Sequence, residues 1–166
     1  MKIYFLFFFV IFISLHANAK TVIGIVNVQK VYEETKEGKR NQIKIQSFIL
    51  KKSAVVKEMQ DRANQMQAKV DKQTIQESIG DFTQRDLANL EQEIETKSFE
   101  IQNSISNLER KITAEFKSKM SAAIKEVSLK HGIDMTVDSS KEDFLFVENP
   151  QDLTQEVIKT FDAKYP

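Results

Sequence analysis

The sequence predicts a mostly α-helical fold with a small β head, in which a long antiparallel coiled-coil hairpin projects from a compact strand-containing body. Three observations predict it. Residues 39 to 79 and 81 to 131 hold neither Gly nor Pro and repeat apolar residues at steps of three and four. Short runs rich in β-branched residues flank them, at 21 to 27 and 133 to 138. Gly38, Gly80 and Gly132 fall where one pattern gives way to the next.

The amino terminus is a separate object. Met1-Lys2 gives a positive start, Ile3 to Leu15 is an apolar run broken only by Ser14, and Ala17-Asn18-Ala19 is a small-x-small cleavage site. Residues 1–19 read as a signal peptide, with the mature chain starting at Lys20, because a spanning helix needs roughly 20 apolar residues. The chain has no cysteine, so neither disulfides nor a cysteine-linked lipid enter the reading.

The first part of the head, 20–38, holds a buried strand at 21 to 27. A short helix follows at 28 to 37, with Val28, Val31 and Tyr32 on one face, and Gly38 interrupts it. The arm, 39–131, has a first seam through Ile45, Ile49, Lys52, Val56, Met59, Ala63, Met66, Val70 and Gln73. Its return seam runs from Leu87 through Ile94, Ser98, Ile101, Ile112, Phe116 and Met120 to Val127. Gly80 suits a helix-closing position and Asp81 with Gln84 a cap, which places the hairpin tip near 80–82. At a 1.5 Å rise the arms are rods on the order of 60 to 75 Å long. Lys52, Gln73 and Ser98 weaken the seam, and successive four-residue steps disturb a strict heptad, so the arms are expected to fray before the head.

The second part of the head, 132–166, reads as strands at 133 to 138 and 144 to 147. A closing helix starts near Asn149-Pro150 or Asp152 and carries Leu153, Val157, Ile158 and Phe161 on one face. Ile23, Ile25, Met135, Val137, Phe144 and Phe146 are the expected head-core or oligomer residues. So few strands leave open edges in one copy, and closure between copies would remove them.

Catalytic chemistry lacks parts. The mature chain has one His, His131, at the end of the second arm, where a cation is favourable. Gly38-Lys39 lacks the Gly at Glu33 and the Ser or Thr at Arg40 that a phosphate loop needs. Acidic clusters such as Glu91, Glu93 and Glu95 point in different directions around a helix and read as solvated faces, as do the acid-first pairs Glu58/Arg62, Glu93/Lys97, Glu115/Lys119 and Glu126/Lys130. No enzyme activity, cofactor, metal or nucleic-acid partner is expected.

The order strand, helix, hairpin, strand, strand, helix resembles the Skp/OmpH family of periplasmic chaperones. Ile23 to Asn27, Gly132 to Asp138 and Asp152 to Lys159 carry the likeness. The resemblance implies a homotrimer whose strands join in a barrel-like head, with hairpins that hold unfolded outer-membrane proteins without ATP. It also implies a periplasmic location, and it leaves room for peripheral contact with the membrane surface. A structural coiled-coil spacer or tether in the envelope is the alternative, but a spacer does not require the strand-containing head. The better-known members are strongly basic, whereas this mature chain has 23 basic and 24 acidic side chains.

Neutrality conceals a division of charge. Residues 39 to 80 carry nine basic and four acidic side chains, 81 to 131 eight and nine, and 132 to 166 three and eight. Client contact is therefore expected along the first arm, through cations such as Lys51, Lys57 and Lys69. At the tip, Ile75, Ile79 and Phe82 exceed what a two-helix end can bury, so they are expected either to contact a client or to staple the hairpin closed.

Overall fold

A computed structural model describes residues 21–72, 77–141 and 146–166, with the backbone alone at residues 72 and 77–83. The elements are β1 (Ile23–Val26), α1 (Val28–Glu34), α2 (Lys36–Lys72), α3 (Glu77–Lys130), β2 (Met135–Asp138), β3 (Gln151–Asp152) and α4 (Thr154–Lys164). The long helices α2 and α3 pack together along the arm, as the seam pattern predicts.

The head is a parallel sheet in the order β2-β1-β3, with Ile23 opposite Met135 and Gly24 opposite Gln151. Parallel neighbours need crossovers, and the whole arm is the crossover from β1 to β2. Alternation along β1 turns Gly24 and Val26 inward and leaves Ile23 and Ile25 half-buried on the other face. The inward face packs on the root of α3 and on α4, in a core of Val26, Val31, Phe116, Met120, Ala123, Val127, Leu153, Val157 and Phe161.

Asn27 caps α1, its side chain accepting from the Lys30 amide at 2.8 Å. The end of α3 closes in a left-handed turn: Gly132 has φ +62°, its amide donates to Leu129, and Ile133 donates to Ser128 at 2.9 Å. The expected end of the second arm at His131-Gly132 is thus reproduced in detail. In α4, Asp152 accepts from the Thr154 amide at 2.9 Å, which selects Asp152 over Asn149-Pro150 as the start signal.

Three expectations are corrected. The short helix ends at Glu34 rather than at Gly38, because the buried Thr35 breaks it and begins α2, accepting from the Gly38 amide at 3.3 Å. Gly38 lies inside α2. The tip expected near 80–82 is not there: α3 already runs from Glu77, so Gly80, Asp81 and Phe82 belong to its first turns. The strand expected at 144 to 147 is not formed at Phe146 and Val147, Phe144 lies outside the described residues, and the third strand is Gln151–Asp152. That strand is docked by its neighbours, the Leu153 amide donating to the Ile25 carbonyl at 2.9 Å.

Away from the head the arm is only two helices thick. Its outer cluster is Ala63, Leu87 and Leu90 with Met59, Met66 and Ile94. The two described weak layers stand as expected: Lys52 is half-buried with its ammonium 5.5 Å from the Phe48 ring, and the exposed Ser98 donates to the Ile94 carbonyl. Amides of α2 and α3 around Lys52 and Ser98 should therefore exchange with deuterium well before those of β1. Uniform protection along the chain would contradict this.

Candidate binding surface of the arm

The root of the arm is fixed to the head by charges that leave their own helices. Lys119 reaches both Glu37 oxygens at 2.8 Å, Lys130 meets Glu156 at 2.7 Å, and Lys164 meets Glu126 at 2.9 Å. Tertiary partners thus take the groups expected to pair within α3, and Lys97 pairs with Glu100 rather than Glu93. Asp162 of α4 accepts from the Lys36 amide at 2.9 Å, and Arg40 donates to the Pro166 carbonyl at 3.0 Å. The elbow where α2 leaves the head is held by α4.

His131 is part of the same ties. Its Nε2 lies 2.6 Å from Glu156 and its Nδ1 3.2 Å from the Gln151 amide, so both ring nitrogens have partners. Hydrogen bonds from Lys130 and then His131 hold the Glu156 carboxyl below the usual carboxylate range. Burial pushes the Asp138 carboxyl up, but bonds from Ser140 and the Val28 amide outweigh it and leave it low. These are structural carboxylates at the ends of strands and helices. Among the described residues no group of His, Asp and Glu could hold a metal ion, and no helix is long and apolar enough to cross a membrane.

The first arm presents a different surface. Residues 39 to 57 contain Lys39, Arg40, Lys44, Lys51, Lys52 and Lys57 and no acid. Lys39, Lys44, Lys51 and Lys57 are exposed, as is Lys69 further along. Among these cations Ile43 is 67% and Leu50 62% exposed. They are seven residues apart, hence on one face, and they lie off the seam of Ile45, Val56 and Met59. Fully burying such a side chain contributes about 1.5–3 kcal/mol, so covering what remains exposed on both contributes roughly 2–4 kcal/mol. That is millimolar or weaker binding for one strip, enough to hold briefly and to release.

The expected site residues are distributed unevenly. Lys51, Lys57 and Lys69 share the exposed surface of α2, whereas Ile75 and the side chains of Ile79 and Phe82 lie outside what is described. Of the head set, Ile23, Ile25 and Val137 are half-buried, while Met135 and Phe146, expected in the head core or between copies, are 57% and 83% exposed in the single chain. Sequence reasoning passed over Ile43 and Leu50 because it followed the seam. The signal that finds them is apolar residues off the seam in an acid-free run.

A small parallel-stranded head carrying a two-helix arm defines a class of helical-hairpin proteins. The model of the family described as outer membrane protein (OmpH-like) matches residues 22–161. The chain belongs to this family, the OmpH/Skp-like outer membrane protein chaperones, which is non-enzymatic. Among solved structures, a candidate outer membrane chaperone (OmpH-like) from Caulobacter crescentus CB15 is similar at TM-score 0.75 and 16% identity, over 93% of this chain and 92% of that one. No curated protein sequence matches the chain.

Proposed function

We propose that this protein is an ATP-independent holdase of the periplasm, which cradles unfolded outer-membrane proteins between its helical arms and prevents their aggregation. The observation that carries the reading is the long α2–α3 arm with its exposed, acid-free stretch at 39 to 57, on a head whose later segment is acidic. Membership of the chaperone family supports it. Residues 1–19 act as a cleaved export signal in this reading.

Three copies close the head. Both β2 and β3 are edge strands, and the outer sheet face carries Ile23, Ile25 and Val137 half-buried and Met135 exposed. Open edges and an uncovered apolar face are what association between copies removes. Several arms around one client turn weak strips into a firm hold by raising the effective concentration of each.

The test is whether the pure protein, without nucleotide, keeps a diluted unfolded β-barrel protein soluble, alongside a native mass of the assembly. Failure to suppress aggregation would overturn the reading. Capture is expected to depend on salt, since exposed lysines steer over a Debye length of about 10 Å at 0.1 M. Association should slow severalfold from low to physiological salt, and Lys51→Glu, Lys57→Glu and Lys69→Glu together should remove that dependence. Equal rates in stopped flow would show that the positive arm plays no part in capture.

A further inference from the structure

We infer that the strip of α2 centred on Ile43 and Leu50 is a binding site for extended polypeptide segments in which apolar and acidic residues alternate. This rests on the holdase reading and deepens it, by placing the contact near the root of the arm rather than at its tip and by naming the chemistry of the segment it takes.

Steps of four and three from Ile43 pass through Ser47, Leu50 and Ala54, all exposed, so two large apolar side chains stand on one outward row with small residues between them. Helical geometry puts Lys39 and Lys57 on one side of this row and Lys44 and Lys51 on the other. Among the described residues none of these four lysines forms an ion pair, whereas Lys119, Lys130 and Lys164 all do. The row is therefore an apolar line between two lines of uncommitted cations.

Charge decides the occupant. A second copy of the same strip would bring like charges together, because residues 39 to 57 contain no acid. A bilayer requires a broad apolar face, and two side chains supply little insertion area. An extended chain alternates its side chains between two faces, so a segment of alternating apolar and acidic residues lays one face of apolar groups on Ile43 and Leu50, and its carboxylates, on the opposite face, are attracted by the cations that flank the row within a Debye length.

The experiment titrates the exported protein with a labelled soluble peptide in which Leu and Tyr alternate with Glu, and with its counterpart carrying Lys for Glu. The Glu peptide is expected to bind about tenfold tighter than the Lys peptide. Ile43→Gln with Leu50→Gln should weaken the Glu peptide at least about tenfold. Lys44→Gln with Lys51→Gln should erase most of the preference between peptides, and Ile79→Ser with Phe82→Ser at the start of α3 should leave both affinities unchanged. All six substituted positions lie outside the head core, and circular dichroism checks that helix content is preserved.

Equal affinity of the wild type for the two peptides, or full affinity in the Ile43/Leu50 variant, overturns the inference. So does a variant that loses phosphatidylglycerol vesicles while keeping the peptide, which would make the strip a lipid surface. The aggregation assay run in parallel keeps the two conclusions apart: a wild type that suppresses aggregation while the peptides do not discriminate sinks the site and leaves the holdase standing. Peptide binding at the strip without aggregation suppression does the reverse.

Discussion

Gly38→Ala is expected to destabilise the protein by about 3 kcal/mol or more and to disrupt the elbow between head and arm, because no rotamer can relieve the overlap it creates. A Cβ at Gly38 would stand 1.7 Å from the Tyr32 carbonyl oxygen and 2.9 Å from the Thr35 hydroxyl. The oxygen is backbone of α1, and Thr35 is fully buried and caps α2, so neither can retreat without moving a helix. Gly24 and Gly132 rank below it. At Gly24 the obstructing atom, 2.9 Å away, is the end of the Leu153 side chain, which can shift. At Gly132 nothing lies within 4 Å, and Ala pays only for the positive φ, about 1 kcal/mol. For a chain of this size each kcal/mol moves the melting temperature by about 2–4 °C, so Gly38→Ala should melt at least about 6 °C below the wild type, and Gly132→Ala only a few degrees below. A Gly38→Ala melt that overlays the wild type would show that the elbow does not have this geometry.

The same glycine marks where the sequence misleads. Gly at the end of an apolar stripe ordinarily stops a helix, and that logic holds at Gly132, where the left-handed turn and both closing hydrogen bonds are present. At Gly38 the residue serves close approach instead, and the break moves to Thr35, whose role as a cap depends on Asp162 reaching across from α4 to the next amide. No local pattern contains that partner, which lies 126 residues away. The helices were legible because periodicity is a local property repeated many times over. The strand at Gln151–Asp152 was not, because two polar residues become a strand only when β1 offers them its free edge. Phe146 shows the opposite error: an apolar run reads as a strand, but its described residues Phe146 and Val147 form none, and Phe146 is exposed. For the binding surface, net charge by segment pointed to α2 from the sequence alone, but the outward position of Ile43 and Leu50 needed the packing of α3 to define which face is the inside.

Phe161→Ala should be the most damaging side-chain truncation in the head. Phe161 is fully buried, and its ring packs tilted against Phe116 at 4.9 Å and against Tyr165 at 5.0 Å, while Phe116 meets Tyr32 edge-on at 4.9 Å. This row of rings joins α4 to α3 and α1, so one deletion opens a cavity shared by three helices. Removing a buried Phe costs about 3–5 kcal/mol, and the lost ring pairs add to it. Leu90→Ala, in the outer cluster of the arm, removes a smaller side chain from a seam two helices thick, which can close by a small shift of one helix. The two variants should therefore differ in where they loosen the molecule as well as in how much. Hydrogen exchange of Phe161→Ala should rise together across β1, α1, α4 and the root of α3, because these share one core, whereas Leu90→Ala should quicken exchange only in the outer parts of α2 and α3. Loosening of β1 by Leu90→Ala would instead mean that head and arm form a single cooperative unit, which the weak layers at Lys52 and Ser98 do not divide.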